Sequence, residues 1–511
     1  MENKQVVIYI NGIERSVNQG VYVSEILQEM SDFRMPCAGH GRCGKCKVWA
    51  KGVLSELKEK ERNYLTKQEL ENGIRLACQT KVLGLCKISS IQEGTIEVLL
   101  NKETMQHTFI VENTKPMFKK LGVAVDIGTT TLAVSLYDKH GLAGQMGTIN
   151  PQVAFGADVI SRIEHSLYGK GEQLAKAVQH GIVDLLEQLC GMYGYRAEEI
   201  DTLVITGNTV MLYLLMKKNP KSLSYAPFQA DWLADEWVEA SHLELGCPSA
   251  KVYLPCCISA FIGADITMAL LHTNICRDRK KRLLVDIGTN GEVVLWTGEK
   301  LLCCSTAAGP AFEGTGLVMG MTASAGAISK VFFEDGTFKV QVIGNQEPIG
   351  ICGSGVIDAV SCLLQSERMD ETGYLEEEEI ILSGTVKITQ EDIRKIQLAK
   401  SAICAGIEAV LHQEGISTKD LEELLIAGGF GSKIDLENAI RIGLLPQMDV
   451  KKIKICGNSS LAGAEMLLHN CELLEKQKEL IQISQSFDLA TDSFFQEKYI
   501  EGMFFLARKE W

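Results

Sequence analysis

No run of ~18 uninterrupted apolar residues occurs along the chain, so no segment is expected to cross a membrane as a helix. The opening residues Met1 to Gln5 are polar where a secretory leader would be apolar, and the expected location is the cytoplasm. Positive charge is in deficit: 51 Lys and Arg face 65 Asp and Glu, a formal net charge of −14. A nucleic-acid footprint is basic, so nucleic acid is not an expected partner. Two nucleotide signatures are missing as well. The absence of Gly-x-x-x-x-Gly-Lys-Ser/Thr excludes a P-loop, and no Gly-x-Gly-x-x-Gly follows a strand as a dinucleotide fold requires.

Cysteine, by contrast, is plentiful. Seventeen cysteines, an odd number without an export signal, do not suit a disulfide scaffold and leave metal ligation or core packing to account for them. Thirteen are scattered and often flanked by apolar residues, as at Cys256-Cys257 and Cys303-Cys304, and read as small buried hydrophobes. The other four form a pattern. Five residues separate Cys37 from Cys43, two separate Cys43 from Cys46, and Cys78 follows in Leu76-Ala77-Cys78-Gln79. Three thiolates on one loop with a distant fourth is how a ferredoxin holds a 2Fe-2S cluster. Gly39, Gly41 and Gly44 allow positive φ and bring backbone N–H groups close to the sulfurs, which tunes reduction potential. A structural zinc site is the alternative, although it usually pairs two short Cys-x-x-Cys units and only one is present. Cys86 is the alternative fourth ligand, and His40 reads as a solvated side chain. The spacing resembles the adrenodoxin type, and the Leu-Ala-Cys-Gln context resembles the fourth-ligand segment of ferredoxins.

Around this loop, Gln5–Ile10 and Ile13–Val17 alternate about Asn11-Gly12, a tight-hairpin pair, and a helical stretch runs over Val23–Met30. After a strand near Thr95–Leu100 the polar residues 101–120, with Lys115-Pro116, read as a linker.

From Leu121 the chain repeats itself. Asp126-Ile127-Gly128-Thr129-Thr130-Thr131 ends one apolar strand and begins another, and Asp286-Ile287-Gly288-Thr289-Asn290 does the same 160 residues later. A glycine hairpin presents backbone N–H groups and hydroxyls to phosphate, and a strand-end Asp can hold hydrated Mg²⁺. One such turn alone is also an ordinary hairpin; two copies with one spacing are harder to dismiss. Phe155-Gly156-Ala157-Asp158-Val159 recurs as Ile262-Gly263-Ala264-Asp265-Ile266, and Thr206-Gly207-Asn208-Thr209 as Cys456-Gly457-Asn458-Ser459. A late apolar strand enters Gly428-Gly429-Phe430-Gly431.

Two phosphate turns followed by a Gly-Gly segment resemble the superfamily of acetate and sugar kinases, heat-shock ATPases and actin. That resemblance implies an α/β ATPase of two ribonuclease H-like halves clamping ATP. It implies that Gly128, Thr129, Thr130, Thr131, Gly288, Thr289 and Asn290 face the phosphates. It further implies that Asp126 and Asp286 hold Mg²⁺ through water, and that Gly428, Gly429 and Gly431 line the adenine side. Asp265 is the candidate for orienting the attacking water, its plainer reading being a carboxylate at a helix N-terminus. Gly353, in Cys352-Gly353-Ser354-Gly355, either approaches the nucleotide or caps a helix.

The fusion of the two modules resembles the reductive activators of corrinoid-dependent enzymes, a likeness that spans essentially the whole chain. It includes Asn150 to Ile163 and Ile426 to Gly431. The expected fold is therefore multidomain: an α+β, β-grasp ferredoxin-like domain (1–100), the linker (101–120), a first ribonuclease H-like half (121–275) and a second (281–511). The implied cofactors are a 2Fe-2S cluster, ATP and Mg. The implied partners are a methyltransferase corrinoid protein, whose inactive cobalt(II) is returned to cobalt(I), and an upstream low-potential electron donor; a homodimer is an admissible assembly. A redox-sensing small-molecule kinase, an activator of another low-potential enzyme and a non-catalytic ATP-binding regulator are the alternative readings.

Overall fold

The computed structural model describes residues 5–10, 13–27, 39, 41, 44, 46–71, 73–90, 115–429 and 434–506. Cys37, Cys43, His40, Gly431, the Asn11-Gly12 turn and the strand expected near Thr95–Leu100 lie outside the described residues.

Alternating apolar residues give β1 (Gln5–Ile10) and β2 (Ile13–Asn18), antiparallel with Ile10 opposite Ile13. Then follow α1 (Val23–Leu27), β3 (Lys47–Leu54), α2 (Glu59–Tyr64), α3 (Lys67–Glu71), β4 (Ile74–Leu76) and β5 (Val82–Ser90). The sheet order is β2-β1-β5-β3-β4, and Val23, Ile26 and Leu27 of α1 share a core with Ile8, Ile10, Val48 and Ile88. A mixed sheet closing on one helix is the β-grasp arrangement expected of the N-terminal domain.

The next unit holds β6 (Leu121–Ile127), β7 (Thr131–Asp138), β8 (Gly141–Ile149), α4 (Val159–His165), α5 (Gly171–Met192), β9 (Ile200–Gly207), α6 (Thr209–Leu215), β10 (Glu236–Glu239), β11 (Lys251–Leu254) and α7 (Ala264–Thr273). The last unit begins with β12 (Arg282–Ile287), β13 (Gly291–Trp296), β14 (Leu301–Thr306), β15 (Ala327–Glu334), β16 (Thr337–Val342) and β17 (Gly350–Ile351). It continues through α8 (Gly353–Gln365), β18 (Glu379–Ser383), β19 (Val386–Thr389), α9 (Gln390–Gln413), β20 (Glu423–Ala427) and α10 (Leu436–Arg441). It closes with β21 (Ile453–Gly457), α11 (Ser459–His469), α12 (Leu473–Gln482), β22 (Ser484–Ser486) and α13 (Ser493–Glu501).

The two large sheets share one order: β8-β7-β6-β9-β11 in the first matches β14-β13-β12-β20-β21 in the second, with β10 and β22 added at opposite edges. In each, three antiparallel strands are followed by two parallel ones, the ribonuclease H-like pattern. Buried on both faces, β6 from Leu121 and β12 from Leu283 read as unbroken apolar runs up to their aspartates. Each therefore delivers one Asp and one glycine turn to the same end of its sheet.

A third core belongs to both halves. Ala124, Val204 and Tyr253 from the first sheet and Leu284, Val294 and Leu425 from the second pack against Ile266, Met268 and Ala269 of α7 and Leu461, Ala464 and Leu467 of α11. The two helices touch closely: a Cβ added to Gly463 would lie 2.0 Å from the Met268 carbonyl oxygen. The end of the segment expected as linker also joins this body. The Met117 N–H donates to the Leu468 carbonyl at 2.9 Å, and Phe118 is buried with its ring 5.5 Å from that of His469. Among the described residues no helix is long and apolar enough to cross a membrane.

Candidate functional site

Both Asp-Ile-Gly-Thr segments are hairpins, β6 to β7 and β12 to β13, and both open onto one cleft. The Gly128 N–H donates to Thr131 O at 2.9 Å and the Gly288 N–H to Asn290 O at 2.9 Å, so the glycine closes each turn, the second one residue tighter than the first. The first turn is braced from below. Asn150 donates to Gly128 O at 2.8 Å, Asn208 to Thr129 Oγ1 at 3.2 Å, and Arg162 to the Thr129 carbonyl. Arg162 is fully buried; burial pushes its pKa down to about 9, and its described acceptors are carbonyls, an amide oxygen and the Met211 sulfur.

The cleft holds Asp126, Gly128 to Thr131, Asp265, Asp286 to Asn290, Gly353, Gly428 and Gly429, so every described residue expected at the nucleotide lines one space. Gly431 lies outside the described residues, and its position is not assigned. Gly428 abuts the second aspartate: a Cβ there would meet Asp286 Oδ1 at 2.7 Å. Gly353 begins α8, whose positive N-terminal end is turned to the cleft beside Ser329 and Ser354. The two Gly-Ala-Asp echoes part company. Asp158 caps α4, accepting from Ser161 N at 2.8 Å, whereas Asp265, in the first turn of α7, lines the cleft.

Five carboxylates line the cleft: Asp126, Asp265, Asp286, Glu292 and Glu313. Burial, followed by the charges of Asp126 and Glu313, pushes Asp286 up to about 7. Burial raises Asp126 despite hydrogen bonds from Asn458 and Ser460. Asp265 is raised by burial and by Asp286 and Asp126, and Glu292 by burial and by Asp265 and Asp286. Among the described lining residues there is no Lys, Arg or His to offset them. An all-oxygen, anionic set of this kind suits a hard divalent cation. Among the described residues no three His, Cys, Asp or Glu side chains converge to hold an ion directly.

Asn458, Ser460, Glu292 and Glu313 are among the lining residues that sequence reasoning did not single out as site residues. Asn458 and Ser460, at the start of α11, donate to Asp126 at 2.9 Å each. Glu292 lies opposite Asp286 on β13, where the first half has Ala133 opposite Asp126. Glu313 accepts from the hydroxyls of Thr130 and Thr289. The repeated Gly-Asn turn was a visible signal for Asn458 and for Asn208; for Glu313 the sequence carries none.

The second site is in the N-terminal domain. Cys46, just before β3, and Cys78, just after β4, stand with their sulfurs 3.2 Å apart. The Ala77 N–H donates to the Cys46 carbonyl at 2.8 Å, fixing one segment on the other. Buried Glu61 ties down the Cys78 turn, accepting from Arg75 at 2.8 Å, Leu76 N at 3.1 Å and Thr80 Oγ1 at 3.2 Å. Gly39, Gly41 and Gly44 take φ of +82°, +68° and +64°, and Gln79 Nε2 donates to Cys78 Sγ at 3.3 Å. Two thiols brought together beside a left-handed glycine loop fit two ligands of a thiolate-held cluster. Cys86 is buried in β5, where burial raises its thiol pKa to about 11.

Known proteins share both sites' setting. Residues 8–83 match the family model of the 2Fe-2S iron-sulfur cluster binding domain, 121–278 that of the RACo middle region, and 280–510 that of the C-terminal domain of RACo, the ASKHA domain. The corrinoid activation enzyme RamQ of Eubacterium limosum is 34% identical over 77% of this chain and 71% of its own. The Co(II) methylated amine-specific corrinoid protein reductase of Methanosarcina barkeri is 28% identical over 74% of this chain and 76% of its own. A solved structure of a reductive activator for corrinoid, iron-sulfur protein has a TM-score of 0.73 at 28% identity, covering 98% of both chains.

Proposed function

The chain belongs to the family of RACo-type corrinoid activation enzymes, and from that membership we propose that it uses ATP to reduce the inactive cobalt(II) of a partner corrinoid protein to cobalt(I). The observation that carries this reading is the union, in one chain, of a paired-thiol site with a cleft between two phosphate-type turns. Cys46 and Cys78, with Cys37 and Cys43, hold the cluster, which supplies a one-electron redox centre when bound. The 3.2 Å approach of the two described sulfurs supports their acting as neighbouring ligands of one cluster.

In the cleft, Thr129, Thr130, Thr131, Thr289 and Asn290 bind the phosphates. Asp126 and Asp286 hold hydrated Mg, and Gly353 and the Gly428–Gly431 turn face the adenosine. Asp265 accepts a hydrogen bond from the attacking water. The buried charge of Arg162 steadies the first turn through the Thr129 carbonyl and lies beneath the phosphates. Residues 1–100 act as the redox domain, and 121–275 and 281–511 as the two halves of the clamp. An upstream low-potential donor feeds electrons to the redox domain.

Returning cobalt(II) to cobalt(I) is uphill for an ordinary ferredoxin donor. For one electron ~59 mV corresponds to ~1.4 kcal/mol, so one ATP can offset some hundreds of millivolts. It does so only by binding two conformations with different affinity, and a cleft whose lining comes from two halves offers that difference.

The test is cobalt spectroscopy on a corrinoid protein mixed with this chain and a reductant that leaves the cobalt(II) untouched. Intact protein with ATP should yield cobalt(I); omitting ATP, or removing residues 1–100, should abolish it. Equal rates without ATP would overturn the coupling, and phosphate appearing on a small molecule would establish a kinase instead.

A further inference from the structure

Thr130 and Thr289 come from different halves, and the reading above gives both hydroxyls to nucleotide phosphate. In the structure one side chain engages both. Thr130 Oγ1 donates to one carboxylate oxygen of Glu313, and Thr289 Oγ1 donates to the other at 3.0 Å. The carboxylate lies over the second turn: a Cβ added to Gly288 would stand 3.6 Å from Glu313 Oε1. Its two oxygens thus bridge the cleft in the space between the phosphate-type hairpins.

A carboxylate and a phosphate are both anionic acceptors and compete for the same hydroxyl donors. Placed side by side they also repel, and both draw on the one buried Arg162 charge beneath the first turn. Glu313 ends a single short turn, Pro310–Glu313, between Gly309 at φ +76° and Gly314 at φ +72°. Phe312 anchors that turn in the core of the second half, so the displacement required is a swing of the Glu313 side chain rather than of the turn. Beyond it, Gly316 O accepts from Lys395 at 2.8 Å and the Val318 N–H donates to Asp392 at 2.7 Å, which ties the following segment to the start of α9.

We propose that Glu313 is a positioning residue that straps the two turns together in the absence of nucleotide and that bound phosphate displaces. Nucleotide binding is then an exchange of Glu313 for phosphate on Thr130 and Thr289. This rests on the phosphate-site reading of those threonines and adds to it what must leave before ATP can enter.

The test uses the full-length, cluster-loaded chain. Glu313→Gln keeps an acceptor oxygen and removes the charge; Glu313→Ala removes the bridge. Dissociation constants for Mg-ADP and a non-hydrolysable Mg-ATP analogue are measured by calorimetry, alongside kcat and KM. Both variants should bind nucleotide more tightly, Glu313→Ala by about tenfold, with a matching fall in KM, because the competing anion is gone. Unchanged affinity with a lower kcat would make Glu313 a catalytic group, and weaker affinity would make it part of the binding site; either result overturns the proposal. Thr130→Val and Thr289→Val should each weaken nucleotide binding. If neither does, the phosphate reading itself fails, a result separable from any effect at Glu313.

Discussion

Asn458, at the start of α11, donates its side-chain amide to Asp126 at the end of β6, 2.9 Å away, so the second half of the clamp completes the aspartate site of the first. Ser460 donates to the other oxygen of the same carboxylate. A hydrogen bond to a charged group contributes about 1.5–3 kcal/mol. Asn458→Ala is therefore expected to lower kcat/KM for ATP about 10- to 100-fold while leaving the visible spectrum of the redox domain intact. Asn458 also accepts from the Leu461 N–H, and Asn458→Asp would keep that cap yet face Asp126 with a second carboxylate. It should be at least as inactive. Phosphate release measures both, and normal rates would remove Asp126 from the hydrolytic site.

Iron content separates the cysteines. Purified anaerobically, the chain should carry about two iron and two sulfide. Cys46→Ala and Cys78→Ala should each abolish that complement, because their sulfurs stand together. Cys86→Ala should retain it and lose only about 1 kcal/mol of stability to the small cavity left in β5. Stoichiometric zinc without iron would overturn the redox assignment.

Acid should loosen the Cys78 turn through Glu61. Burial alone would raise the Glu61 pKa, but hydrogen bonds from Arg75 and from the Lys58 and Leu76 N–H groups, with the Arg75 charge, hold it below its ordinary 4.5. A carboxyl whose folded pKa is depressed stabilises the fold above its unfolded pKa and loses that contribution as pH falls through the folded value. Glu61→Gln, which leaves Arg75 without its carboxylate, should cost about 3–5 kcal/mol at neutral pH. In urea titrations followed by the cluster's absorbance, the gap between wild type and variant should be full at pH 7 and narrow below pH 4.5. A gap independent of pH would show that the charge on Glu61 does not matter.

The sequence made the strand-turn-strand units legible because Asp-Ile-Gly-Thr combines an apolar run, a carboxylate and a turn within a few residues, and it occurs twice. The same locality puts three of the four candidate ligand cysteines within Cys37–Cys46 of the sequence. What escaped depends on three-dimensional closure. Glu313 is 183 residues from Thr130, and nothing near it in the chain resembles a phosphate motif. Asn458 belonged to a visible echo, yet which aspartate it would meet is decided by α11 crossing to the first sheet. Phe118 read as part of a polar linker because one apolar pair, Met117-Phe118, carries no periodicity; its burial comes from the end of α11, where its ring meets that of His469.

The contact between Gly463 and the Met268 carbonyl restricts how the clamp can work. With backbone against backbone there, and one apolar core continuous across α7 and α11, the halves cannot gape apart without opening a void. Small sliding of one helix along the other keeps that core filled, and displacement then grows with distance from the contact. Any rotation of the halves would take Gly463 as its fulcrum, and a movement of fractions of an ångström beside it would become a larger sweep at the outer rims of both sheets. Energy from the nucleotide would then be delivered as leverage rather than as separation.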